Sequence, residues 1–137
     1  MSDGTLDADG CTLSDIRDPQ TYAVIGAAIE VHRVLGCGFL EKVYRVALLE
    51  ELQANRVPCR AEVRYRIPYK GRSLGVTYRA DIVCFDAVIV EVKASVALTR
   101  IDQAQAINYL KASGLHRALL LNFGTRMLQY QRLVLGL

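Results

Sequence analysis

The sequence predicts a single α/β domain, with a central mixed β-sheet flanked by helices. Three patterns predict it. Apolar residues recur at helical spacing through residues 19–54. From Glu62 the period switches to strict alternation, and from Ala87 to a dense apolar run. Helical spacing then returns over 99–113, before two further apolar strands. A chain of 137 residues is the size of one domain and can bury one core. With 52% hydrophobic and 23% charged residues and only 13 Gly plus Pro, it is neither disordered nor collagen-like.

Each element has a local reason. Residues 1–17 are polar and acidic and read as a flexible tail ahead of a domain over 18–137. Asp18 and Pro19 are a natural N-cap and first helical residue. Tyr22, Ile25, Ile29 and Leu35 form an apolar stripe, which Gly36 and Gly38 end. A second helix over 40–54 carries Val43, Val46, Ala47, Leu49 and Leu52, and Asn55 and Pro58 stop it. Residues 62–69 alternate Arg with apolar side chains, a half-exposed strand whose Pro68 favours a sheet edge. A turn over 70–73 leads to a strand over 74–84. A second turn at Phe85 and Asp86 leads to a buried strand over 87–92. Thr99 caps the third helix with Asp102 in its first turn, and Gly114 ends it. Strands over 116–123 and 127–135 complete the chain.

The net charge of +3 conceals an uneven distribution. Residues 1–18 hold five Asp and one Arg, and the remainder holds 16 basic against 9 acidic residues, or +7. The excess lies from Arg60 onward. Such a surplus fits either an anionic partner such as nucleic acid or ordinary solubility charge. The four cysteines form no CxxC and have no histidine placed to complete a zinc site; Cys59 and Cys84 read as small buried hydrophobes. No apolar run approaches the roughly 20 residues that span a bilayer, so no membrane partner is expected. The N-terminal stretch has no secretory-signal character, and the expected compartment is the cytoplasm.

The chemistry concentrates in residues 80–93. Glu91 and Lys93 are two apart on a strand and share a face. A tight hairpin at Asp86 sets Asp81 opposite Glu91. Charges at the end of an apolar hairpin are costly unless they pair or hold a metal. Two carboxylates suit a hard cation, Mg²⁺ or Mn²⁺, and with it phosphodiester hydrolysis. Lys93 would then orient or help deprotonate water and balance charge on the phosphorane. The competing reading is a satisfied carboxylate–lysine ion pair at a strand end. Gln105 and Tyr109 share one face of the third helix at i and i+4. Glu41 is either a favourable first-turn acid or a metal-linked carboxylate.

These residues carry a resemblance. Asp81, Glu91-Val92-Lys93 and Gln105 with Tyr109 resemble the motifs of the PD-(D/E)XK nuclease superfamily, the Gln–Tyr spacing being similar to its recombination-exonuclease branch. Residues 19–135 resemble the small bacterial and archaeal GxxExxY family within it. The matching stretches include Gly38-Phe39-Leu40-Glu41-Lys42-Val43-Tyr44, Tyr69-Lys70-Gly71, Gln105-Ala106-Ile107-Asn108-Tyr109 and Leu121-Asn122-Phe123-Gly124. The resemblance implies a restriction-endonuclease-like core. It implies Asp81, Glu91 and Glu41 as metal ligands, Lys93 as the catalytic lysine, and Gln105 and Tyr109 as residues that orient the site or meet a phosphate.

The remaining polar residues have milder readings. His32 is either a helix histidine satisfied in place or a metal support, and His116 has no evident partner. Arg60, Arg64, Arg66 and Arg72 are candidates for backbone phosphates, or else a solvated edge that blocks sheet pairing. Tyr65, Tyr69 and Tyr78 read as cross-strand packing. Two functions compete: a divalent-metal-dependent nuclease acting on DNA, and a catalytically silent nuclease-fold module that binds nucleic acid or a partner protein. A homodimer or a helicase or repair partner would extend either, since so short a chain has no room for a separate sequence-recognition domain.

Overall fold

The computed structural model describes residues 18–136, so the expected tail over 1–17 lies outside the described residues. Two helices, α1 (Pro19–Leu35) and α2 (Glu41–Ala54), precede three strands, β1 (Cys59–Tyr69), β2 (Arg72–Cys84) and β3 (Val88–Lys93). Helix α3 (Arg100–Ser113) then crosses to β4 (Arg117–Asn122), and β5 (Gln129–Val134) follows. The sheet order is β1-β2-β3-β4-β5, antiparallel except for the parallel β3–β4 pair that α3 connects. This is the expected mixed sheet. Among the described residues no helix is long and apolar enough to cross a membrane.

The helix ends follow the local chemistry. Asp18 accepts from the Thr21 N–H at 3.2 Å and from its hydroxyl at 2.6 Å, with Pro19 opening α1. Thr99 and Asp102 form a reciprocal capping box, and Gly114 ends α3 at φ 76°. Lys70 and Gly71 have positive φ in the two-residue turn from β1 to β2, and Phe85 and Asp86 have positive φ in the three-residue turn to β3. The last strand begins at Gln129, later than expected. Residues 123–128 instead bend around Gly124, where a Cβ would collide with the Ser95 backbone.

Both faces of the sheet are buried at its centre, over β3, β4 and the end of β2. Val24, Ile25, Ala28, Tyr44, Leu48 and Leu52 of α1 and α2 cover Val88, Val90, Val92, Leu119 and Leu121. Ala106 and Leu110 of α3 cover Ile89, Ala118 and Leu120. Burying each of the Val, Leu and Ile side chains contributes roughly 1.5–3 kcal/mol, which is why β3 and β4 carry the apolar runs Val88–Val90 and Ala118–Leu121. Cys59 and Cys84 are cross-strand partners and remain free thiols, Cys84 buried as expected and Cys59 half-buried.

One irregularity governs everything beyond it. In β2, Tyr78 and Ala80 pack on the α3 side, whereas Ile82 and Cys84 pack on the α1–α2 side. A regular strand keeps residues two apart on one face, so β2 turns over between Ala80 and Ile82. The neighbouring β1 does the same between Cys59 and Val63. Glu62, at the turnover, has φ 56°, a left-handed conformation that a non-glycine residue adopts only at a cost.

Candidate active site

The β2–β3 ladder runs from Cys84↔Val88 to Ile82↔Val90 and stops. Beyond it β2 stays with β1, while β3 continues beside β4 to Lys93↔Asn122. Asp81 and Glu91 stand where the strands part, and their side chains take over the missing ladder bonds. The Val92 N–H donates to Asp81 Oδ2 at 2.8 Å, and the Asp81 N–H donates to Glu91 Oε2 at 3.4 Å. The Tyr78 hydroxyl donates to Glu91 Oε1. The expected Asp81–Glu91 pairing is therefore realised in a fork between strands, with the carboxylates arriving from opposite faces.

Glu91 is only 6% exposed. Burial first, then the Asp81 charge and a hydrogen bond shared with the Asp81 carboxyl, push its pKa up to about 8. Tyr78 and the Asp81 N–H pull the other way. At neutral pH the pair retains a proton.

Helix α2 brings two charges to the same place. The Arg45 Nη1 lies 3.7 Å from Asp81 Oδ1. Glu41, one turn earlier, is exposed at the rim. Partial desolvation, followed by the Asp81 charge, raises its pKa against Lys93 and Arg45. The local sequence explains this placement. Tyr44 donates to the Gly36 carbonyl at 2.6 Å and accepts from the Phe39 N–H at 3.1 Å, while its ring stacks on Phe123 at 4.8 Å. Tyr44 thus ties down the Gly38–Glu41 bend, giving the Gly-x-x-Glu-x-x-Tyr spacing a physical purpose. On the other side, Lys93 Nζ stands 3.9 Å from Asp102 Oδ1 at the start of α3. Asn122, fully buried, accepts from the Ser95 and Gly124 N–H groups and donates to the Ser95 carbonyl, which holds the loop after Lys93.

Of the residues anticipated from sequence, Asp81, Glu91 and Lys93 flank one fork, with Glu41 close enough to sense their charges. Tyr109 reaches it indirectly, its ring stacked on Tyr78 with centroids 3.3 Å apart. Gln105 is exposed on α3. The expected set of three metal-binding carboxylates is not gathered: among the described residues no three Asp, Glu, His or Cys side chains are grouped to hold an ion. Glu41 stays at the rim because α2 is anchored by Tyr44, Leu48 and Leu52, one turn and more away. Two adjacent carboxylates still form a donor set suited to Mg²⁺, which is held through one or two carboxylates plus water and substrate phosphate.

The other residues singled out from sequence take the following places. Arg60 does not share a face with Arg64 and Arg66. The turnover at Glu62 sends it to the other side, where it pairs with Asp86 at 2.9 Å. Arg72 sits at the hairpin tip, beyond a register shift. His32 Nε2 meets the Thr125 carbonyl at 2.9 Å and joins α1 to the bend after β4, a structural role. His116 has a partner in the Leu135 carbonyl at 2.9 Å. Tyr65 and Tyr78 are stacked cross-strand neighbours as expected, but Tyr78 also holds Glu91. Tyr78, Arg45 and Asp102 were not singled out for this site. Only Arg45 left a trace, its i,i+4 spacing from Glu41.

The sequence matches a family model described as the PD-(D/E)XK nuclease superfamily over residues 18–133. No curated protein is similar enough to match. A solved structure described as "Crystal structure of SSO0001" is similar, with a TM-score of 0.58 and 19% identity over 90% of this chain. The chain spans 63% of that structure's length, and at this identity the likeness bears on the fold alone. The family match runs from the α1 cap into β5 and takes in the fork and both helices that flank it. The chain therefore belongs to the PD-(D/E)XK nuclease superfamily.

Proposed function

We propose that this chain is a nuclease-fold module that binds nucleic acid, DNA in the first instance, with its carboxylate fork closed at rest. The observation that carries this reading is the state of Glu91. It is buried, capped by Tyr78 and the Asp81 N–H, and sits in a pair that keeps a proton at neutral pH, without a third ligand grouped beside it among the described residues. A basic surplus of +7 over residues 19–137 supports a polyanionic partner. The matching stretches from Gly38–Tyr44 to Leu121–Gly124 support placement in the GxxExxY family, and a cytoplasmic location belongs to the same proposal.

A second reading, hydrolysis of DNA phosphodiesters with Mg²⁺ or Mn²⁺, has its own observation. Asp81, Glu91 and Lys93 flank one fork, with Glu41 and Arg45 at its edge. Asp81 and Glu91 would hold a divalent cation, which would supply Lewis acidity toward a nonbridging oxygen and an acidified water. Lys93 would release Asp102, 3.9 Å away, to orient that water and offset charge on the phosphorane. Arg45 would steady a nonbridging oxygen. Gln105, exposed on α3, would meet a flanking phosphate.

One experiment separates the readings: cleavage and binding of single- and double-stranded DNA, with Mg²⁺ or Mn²⁺, by wild type and Lys93→Ala. Binding by both without cleavage is the expected result. Cleavage by wild type, abolished in Lys93→Ala while metal binding persists, would replace the first reading with the second. Cleavage unchanged in Lys93→Ala would sink the assignment of the site itself.

A further inference from the structure

The β1–β2 hairpin outruns the rest of the sheet. β2 pairs with β3 only over Ile82 to Cys84, so the stretch from Arg72 to Asp81 has β1 alone beside it, and β1 is the sheet edge. Isolated two-stranded ribbons are marginal in water. This one is braced on one face, where Val63, Tyr65, Ile67 and Tyr78 pack toward α3, and Tyr109 of α3 stacks on Tyr78.

The other face is basic and bare. Residues 62–80 contain five basic side chains and one acidic. Arg64 and Arg79 are direct partners across the ladder, and both are exposed. Like charges placed opposite each other destabilise a ribbon. Glu62 offsets them weakly, 3.6 Å from Arg79 with both side chains about half exposed. Arg64 also donates to Thr77, which stands opposite Arg66. Among the described residues Arg66 makes no ion pair. Arg64 and Arg66 are two residues apart, about 6.6 Å along a strand, a separation comparable to that of successive phosphates. Arg79 likewise precedes Asp81 by two residues, and Asp81 meets Arg45 from the α2 side.

We propose that this face, Arg66, then Arg64 with Arg79, then Arg45, is a track for the phosphate backbone of a nucleic acid that leads to the Asp81–Glu91 fork. The inference rests on the nucleic-acid reading and adds its surface and direction. The guanidinium groups meet phosphates and not base edges, so binding along the track is independent of sequence.

The test is fluorescence anisotropy of a labelled DNA duplex with the full chain in EDTA, where turnover plays no part. Arg64→Ala/Arg66→Ala/Arg79→Ala should weaken binding at least tenfold. It should also lower the slope of log affinity against log salt by about 2 to 3, as loss of three phosphate contacts requires. Arg33→Ala/Arg100→Ala/Arg126→Ala, with the same loss of charge elsewhere, should weaken it far less. Arg64→Lys/Arg66→Lys/Arg79→Lys should retain most of the affinity, which separates lost charge from a damaged ribbon. Equal weakening by both Ala triples, or none by the first, overturns the track. Equal competition by poly-glutamate and by unlabelled duplex also overturns it. If wild type binds neither DNA nor RNA, the nucleic-acid reading falls as well.

Discussion

Two buried carboxylates in this protein meet opposite fates. Asp18 at the start of α1 is 8% exposed and Glu91 in the fork is 6% exposed. Burial pulls the pKa of Asp18 upward, but hydrogen bonds from the Thr21 hydroxyl and N–H, from Arg117 and from Arg132 outweigh it and hold it at about 2. Arg117 lies at 2.7 Å and Arg132 at 3.0 Å. Glu91 is pushed to about 8 by burial first and then by the charge of its neighbour Asp81. Desolvation raises both, and only Asp18 has cationic and hydrogen-bonding partners that outweigh it. A carboxylate clasped by two guanidinium groups and a helix N-terminus ties α1 to β4 and β5. A carboxylate set against another carboxylate is a poor way to hold two strands together, and perturbation of that kind marks candidate functional groups.

The largest expected effect tests the structural half of the contrast. Asp18→Ala leaves Arg117 and Arg132 without their shared anion and removes the cap of α1. It should destabilise the fold by about 3 kcal/mol, measured by urea denaturation. A loss well under 1 kcal/mol would mean that the corner is solvated and that the contrast does not hold.

The next effect is the opposed response to pH. Asp18 titrates lower in the folded chain than its ordinary 3.8, so its contribution is present above that value and fades as pH falls toward 2. Glu91 titrates above its ordinary 4.5, so the folded state keeps a proton that the unfolded chain releases. Its contribution is present below 4.5 and fades as pH rises toward 8. The second slope reaches at most about 1.4 kcal/mol per pH unit. Glu91→Gln should abolish that alkaline slope and leave the acid one intact, as read from urea midpoints between pH 2 and 9. An unchanged alkaline slope would show that the proton does not reside in the fork.

The smallest effect isolates Tyr78. Tyr78→Phe should cost about 1 kcal/mol and raise the Glu91 pKa further, since the hydroxyl favours the charged carboxylate. A carboxyl titration followed by NMR would check the direction. A lowered pKa would contradict the hydrogen bond.

Much of the fold was legible because its signals are local. Asp18-Pro19, the Gly36 and Gly38 break, Thr99 with Asp102, and Gly114 mark helix ends through chemistry within a few residues. The turns at 70–71 and 85–86 fall between runs of alternating or apolar residues. Glu91 and Lys93 could be placed on one face from spacing alone. Arg60 could not be separated from Arg64 and Arg66, because alternation projects one face along the whole of β1, and the turnover at Glu62 has no sequence marker. Tyr78 was legible as packing but not as the partner of Glu91.

The sequence by itself determined which segments become helices and strands, in what order, and which carboxylates and lysine fall near one another. Those properties depend on period, caps and turn chemistry between neighbours in the chain. Only the tertiary structure decided that β2 and β3 part company after Ile82 and Val90, that β1 and β2 roll over together, and that Glu41 stays at the rim. Each of these depends on which strand partner and which helix the rest of the core makes available, a balance of packing between residues far apart in sequence.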